Sequence, residues 1–142
     1  MNWKYDDGGR AAAGHRGTAG DCVVRAIAIA TQQPYELVRQ ACAEFADGDG
    51  TIGVHRKKTD YADRGFQDLL EAWGWRWVPT MRVGQGCTVH LRASELPAGR
   101  IIASVSRHLV AVIDGVAHDT HDPTRMGTRC VYGYFIKEEA PH

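Results

Sequence analysis

The segment HLVAVIDGVAHDT, residues 108–120, constrains the fold more than any other stretch of the chain. Apolar residues flank Asp114-Gly115 on both sides, and Asp-Gly is a preferred pair for the two-residue type I′ turn, which needs positive φ at both central positions. Pairing Ile113 with Val116 across that turn sets Val110 opposite Asp119 and His108 opposite His121. Strand side chains alternate between faces, so His108, Val110, Asp119 and His121 share one face while His118 and Asp122 project from the other. The flanking segments RIIASVS and RCVYGYFI have the same strand character.

The first half of the chain has a different period. Residues 22–31, CVVRAIAIAT, are apolar almost all round and read as a buried helix, with Asp21 placed to accept a backbone N–H as its cap. PYELVRQACAEFA reads as a second helix opened by Pro34. TDYADRGFQDLLEAWG reads as a third, capped by Thr59 and stopped by Gly74. DGDGTIG between them is a loop, WRWVPT a short strand, and ASEL at most a helical turn. Helices first and strands second imply an α+β domain, with N-terminal helices packed on a C-terminal antiparallel sheet. The 142 residues fit a single domain, 1–142, in which the glycine-rich and charged residues 1–19 form a loosely ordered lead-in.

Seventeen basic and seventeen acidic side chains balance to a formal net charge of zero, which gives no general attraction to nucleic acid. The short run Arg56, Lys57, Lys58 reads as a solvated loop. No apolar stretch approaches the length of a membrane span, and the first residues lack the basic-then-apolar pattern of a signal peptide. A cytoplasmic protein is the expectation. The four cysteines, Cys22, Cys42, Cys87 and Cys130, show no CxxC, so free thiols in a reducing compartment are the simpler reading. Cys42 falls among apolar helical positions and reads as core, and Cys87 and Cys130 as structural.

Chemistry concentrates in Cys22, His108 and Asp119. The thiolate is the reactive form of cysteine, and both a helix N-terminus and an imidazolium stabilise it. In this reading His108 takes the Cys22 proton and Asp119 accepts from the other ring nitrogen, fixing tautomer and orientation. Asp119 is favoured over Asp122 because it shares the His108 face; a bulge would reverse that choice. The thiolate attacks a carbonyl, and an acyl-enzyme forms and is released by water or another nucleophile. The Cys22 backbone N–H is one donor for the oxyanion, and Arg16 and Thr18 are the upstream candidates for a second. The HDTHD cluster is weighed as a metal site, with His118, Asp119, His121 and Asp122. It lacks the ligand spacing of structural zinc and its two histidines alternate faces, so no metal or cofactor is expected. Trp73, Trp75 and Trp77 read as core and groove-wall residues, and Arg107 as a solvated edge residue.

These residues resemble the papain-like superfamily. The likeness is strongest to bacteriocin-leader-processing peptidases, which place DC at the start of the nucleophile helix, then an HxVV strand and a second strand ending in Asp. It extends to short phage and bacterial papain-like proteins with DCVVRA-type openings and HLVAVIDG-type hairpins. The resemblance covers residues 20–31 and 100–135. It implies Cys22 as nucleophile, His108 as base and Asp119 as orienting acid, acting on a peptide or protein substrate. The peptidase pattern has Gln where this chain has Arg16, and papain relatives often have Gly where it has Val23. Two other functions use the same scaffold: a catalytically weak or inactive binding or assembly module of phage or mobile-element origin, and an acyltransferase of transglutaminase type.

Overall fold

Strand-forming alternation after residue 100 builds most of a sheet, and the preceding chain supplies its helical cover. The computed structural model describes residues 1–15, 21–45, 65–82 and 84–138. Arg16, Thr18, the DGDGTIG loop, Arg56 to Lys58 and Thr59 lie outside the described residues. In chain order the elements are β1 (Trp3–Tyr5), α1 (Cys22–Thr31), α2 (Tyr35–Phe45), α3 (Gly65–Ala72), β2 (Trp75–Pro79), β3 (Arg100–Val105), β4 (His108–Ile113), β5 (Val116–Asp119) and β6 (Val131–Lys137). Short 3₁₀ turns occupy Ala93–Glu95 and Arg125–Gly127. The α+β class is as expected, and the α1 boundaries match the residues that read as helix.

Six strands form one sheet in the order β1-β5-β4-β3-β6-β2. The β4–β5 hairpin pairs Ile113 with Val116 and Ala111 with His118, the register anticipated from Asp-Gly. Asp114 and Gly115 have φ of 48° and 78°, as a type I′ turn requires. At Gly133 in β6 the need for glycine is one of space, since a Cβ there would lie 2.3 Å from the Trp77 indole.

The expectation of an antiparallel sheet is corrected at one edge, because β1 runs parallel to β5, with Tyr5 opposite Asp119. Part of the lead-in, Trp3–Tyr5, forms this strand. The outer edge of β5 carries unpaired backbone groups, and Ala117 N–H donates to Asn2 O at 3.0 Å while Asp6 N–H donates to Asp119 O at 2.9 Å. Residues 2–6 thus join the sheet edge despite having no apolar period of their own.

Two cores sit on the two faces. On one, α1 buries Val23, Ile27 and Ala30 against Leu109, Ala111 and Phe135, with Val38, Leu69 and Leu70 from α2 and α3 closing the layer. Removing each of the valine, isoleucine, leucine and phenylalanine side chains among them from water stabilises the fold by roughly 1.5–3 kcal/mol. On the other, Ile101, Val110, Val112 and Ala117 pack under Leu91 and Leu96 of the segment before β3. Cys42 is in the first core, where burial pushes its thiol up to about 12.

The expectation of four free thiols is also corrected. Cys87 and Cys130, 43 positions apart in sequence, form a disulfide with Cα atoms 5.8 Å apart, leaving Cys22 and Cys42 free. A backbone bridge between His90 and Cys130 brings the two together. With that bond present, cysteine usage no longer argues for a reducing compartment. Among the described residues no helix is long and apolar enough to cross a membrane.

Candidate active site

Cys22 is the first residue of α1, so its thiol sits at the positive end of the helix dipole. Asp21 does precede the helix, but its side chain makes no cap bond. The carboxylate is taken up instead by three partners. Arg10 Nε lies 3.0 Å away, Tyr35 donates its hydroxyl at 2.6 Å, and the Arg25 guanidinium pairs with the other oxygen. The tyrosine hydroxyl is pushed up to about 12 by burial and by its bond to that carboxylate. The network ties the N-terminal segment, α1 and α2 together one residue before the thiol.

His108 opens β4 and Asp119 closes β5, and the hairpin register sets them on the same strand face. His108 Nε2 and Asp119 Oδ2 are 2.5 Å apart, in a setting where Cys22, His108 and Asp119 are only 3%, 7% and 4% exposed. Burial on its own would lower the His108 pKa. The hydrogen bonds and charges of Asp119 and Cys22 together outweigh it, and the ring ends at about 9. Burial likewise opposes ionisation of Asp119, yet His108 and the Thr120 N–H hold its carboxyl below the ordinary range. With Nε2 engaged by Asp119, Nδ1 is the nitrogen left to serve Cys22. The structure therefore brings together the three residues chosen from the sequence, and Asp122 is elsewhere, accepting from Thr124 N–H at 2.9 Å.

Arg107, just before the histidine, is exposed as anticipated, and it adopts a left-handed conformation with φ of 56°. An arginine there costs on the order of 1 kcal/mol, and the turn it closes between β3 and β4 sets the start of the His108 strand.

Three further residues crowd the centre without having been singled out for it. The exposed His121 stands with its ring centroid 5.2 Å from that of His108 and its Nδ1 3.8 Å from Asp119 Oδ1. Arg25 reaches within 3.9 Å of the same oxygen. Arg129 donates to Ser106 O at 2.7 Å, while its Nε is buried with no hydrogen-bond partner among the described residues. Burial lowers the Arg129 pKa, as does Arg125, and the charges of Asp119 and Cys22 oppose that shift, which places the guanidinium in the field of the centre. Face alternation already put His121 opposite His108. Arg25 follows Asp21 at helical spacing, whereas nothing local in the sequence marks Arg129.

A sizeable cavity lies elsewhere. About 580 Å³ opens at the far end of α1, lined by Gln32, Leu37, Trp73, Trp75, Arg100 and Lys137 among others. Trp73 and Trp75 are thus groove-wall residues, though of a groove remote from the thiol. No family model, curated protein or solved structure matches this chain.

Proposed function

We propose that this protein is a papain-like cysteine hydrolase that cleaves a peptide, isopeptide or other amide bond through an acyl-enzyme. The observation that carries the reading is His108, held by Asp119 through Nε2 at 2.5 Å while its pKa is raised by the thiol at the start of α1. Cys22 adds to the scissile carbonyl as thiolate. The helix N-terminus and the Cys22 N–H offset the charge that develops, and His108 donates its proton to the departing amine. Water then attacks the thioester with His108 as base, regenerating the thiol. Asp119 keeps the ring oriented throughout.

The 3% exposure of Cys22 favours a second reading, a binding or assembly module that keeps the constellation without turnover. Cysteine labelling separates the two. In the hydrolase, iodoacetamide modifies Cys22 selectively at neutral pH, and His108→Ala slows that labelling roughly tenfold or more, as expected when a thiolate loses its ion-pair partner. Labelling of Cys22 at the slow rate of Cys42, unchanged by His108→Ala, would rule the hydrolase out.

A further inference from the structure

We propose that His108, Asp119 and His121 bind a transition-metal dication of the zinc type, and that its binding switches the thiol centre off. The metal site stands on geometry alone, and the switch rests on the hydrolase reading of the same residues. The donor atoms of the three side chains all lie within 4.8 Å of one another. Two imidazoles and one carboxylate suit zinc, cobalt or nickel rather than calcium or magnesium, which prefer oxygen.

The carboxylate already faces both rings. Its Oδ2 is 2.5 Å from His108 Nε2 and its Oδ1 is 3.8 Å from His121 Nδ1. Zinc bonds of ~2.0–2.2 Å in tetrahedral geometry set donor atoms roughly 3.4 Å apart, so donors that now lie within 4.8 Å of one another adjust by about 1.4 Å or less. The histidine that has room to adjust is His121, whose side chain is 57% exposed, and an ion reaches the buried pair from its side. Solvent on that side supplies the remaining ligand. The Thr120 N–H, 2.7 Å from Asp119 Oδ1, orients the carboxylate from behind. Arg25 beside Asp119 opposes a second cation, which favours reversible over permanent occupancy. Elsewhere among the described residues, His15 with Glu36, His90 with Glu95 and His118 with Asp6 each offer only two donors.

Occupancy removes what the thiol needs. The metal bonds His108 Nε2, and any proton there leaves to solvent. The hydrogen bond to Asp119 breaks, and the ring is left with its proton on Nδ1 facing Cys22. The ring can then no longer form the imidazolium that pairs with the thiolate: a protonated Cys22 finds no lone pair to take its proton, and the neutral metal-bound ring is too weak an acid to give its Nδ1 proton to a departing amine. The exposed residue His121 is therefore a ligand for the ion and dispensable for the thiol chemistry itself.

The test begins with Cys22→Ser protein, which retains all three ligands, titrated with Zn²⁺ by calorimetry. One ion binds per chain, and adding His121→Ala weakens binding roughly tenfold or more, the scale on which metal sites respond to loss of a supporting group. Absent binding, or binding indifferent to His121→Ala, overturns the site. In wild-type protein Zn²⁺ at the concentration that half-fills the site slows iodoacetamide labelling of Cys22 and a chelator restores it, while at that same concentration His121→Ala labels at nearly the rate it shows without the ion. Slowing that persists in His121→Ala means direct capture of the thiolate and overturns the switch. If Cys22 of wild type labels no faster than Cys42 before any metal is added, the hydrolase reading and the switch fail together, and the calorimetry still decides the metal site.

Discussion

The two ends of α1 differ in kind. At its start Cys22, His108 and Asp119 are buried, and the bond between His108 and Asp119 accompanies opposite pKa shifts, upward for the ring and downward for the carboxyl. At its end the chain turns through a left-handed Gln32 into an open cavity of about 580 Å³ walled by tryptophan. There the cations donate to backbone, Arg100 to Ile29 O and Lys137 to Trp73 O. The roomy end has volume without reactive groups. At the cramped end the environment pushes His108 and Asp119 apart in proton affinity, a divergence that clusters at functional sites. Volume and perturbed proton affinity thus sit at opposite ends of one helix.

The comparison can be broken most forcefully at the closed end. Cys130 follows Arg129, so the disulfide to Cys87 braces the segment that carries this guanidinium toward the thiol. Replacing both cysteines by serine lowers stability by roughly 2–4 kcal/mol, read as a fall in the urea midpoint. A midpoint equal to that of wild type under oxidising conditions would show that the bond contributes nothing.

Next in size is pH. His108 has its pKa raised from 6.5 to about 9 in the folded state, so the stability it contributes is complete below 6.5 and is lost as pH rises through about 9. Asp119 is shifted the other way, and its contribution holds above about 4 and is lost on further acidification. Urea midpoints measured from pH 6.5 to 9 fall in wild type by an amount on the order of 2 kcal/mol and stay flat in His108→Gln. Parallel slopes in the two proteins would remove His108 from the account.

At the open end the expected effects are smaller. Arg100→Ala loses the bond that satisfies a carbonyl in the last turn of α1 and costs about 1 kcal/mol. Trp73→Ala enlarges the cavity and leaves the rate of Cys22 labelling at neutral pH where it was. A changed rate would show that the two ends of the helix are coupled.

Much of the closed end was legible because its information is local. Asp114-Gly115 dictates a turn, the turn a register, and the register a choice between Asp119 and Asp122. Cys22 opens a helix whose apolar residues announce burial. What escaped depends on partners distant in sequence. Trp3–Tyr5 is too short to show a period and becomes a strand only against β5. Cys87 and Cys130 need the His90 bridge to meet. Asp21 has the composition of a cap, but Arg10 and Arg25 compete for its carboxylate and win. The oxyanion candidates Arg16 and Thr18 fall outside the described residues.

The β1–β5 pairing has a consequence for how the molecule comes into being. Asp119 is held by backbone bonds to residues at the beginning of the chain, so its final position waits until segments from opposite ends of the sequence have met. Such long-range parallel closure is slow compared with hairpin or helix formation. A growing chain can assemble α1 long before that closure. During synthesis the nascent protein thus carries its thiol in a helix while the residue that orients the imidazole has yet to be made.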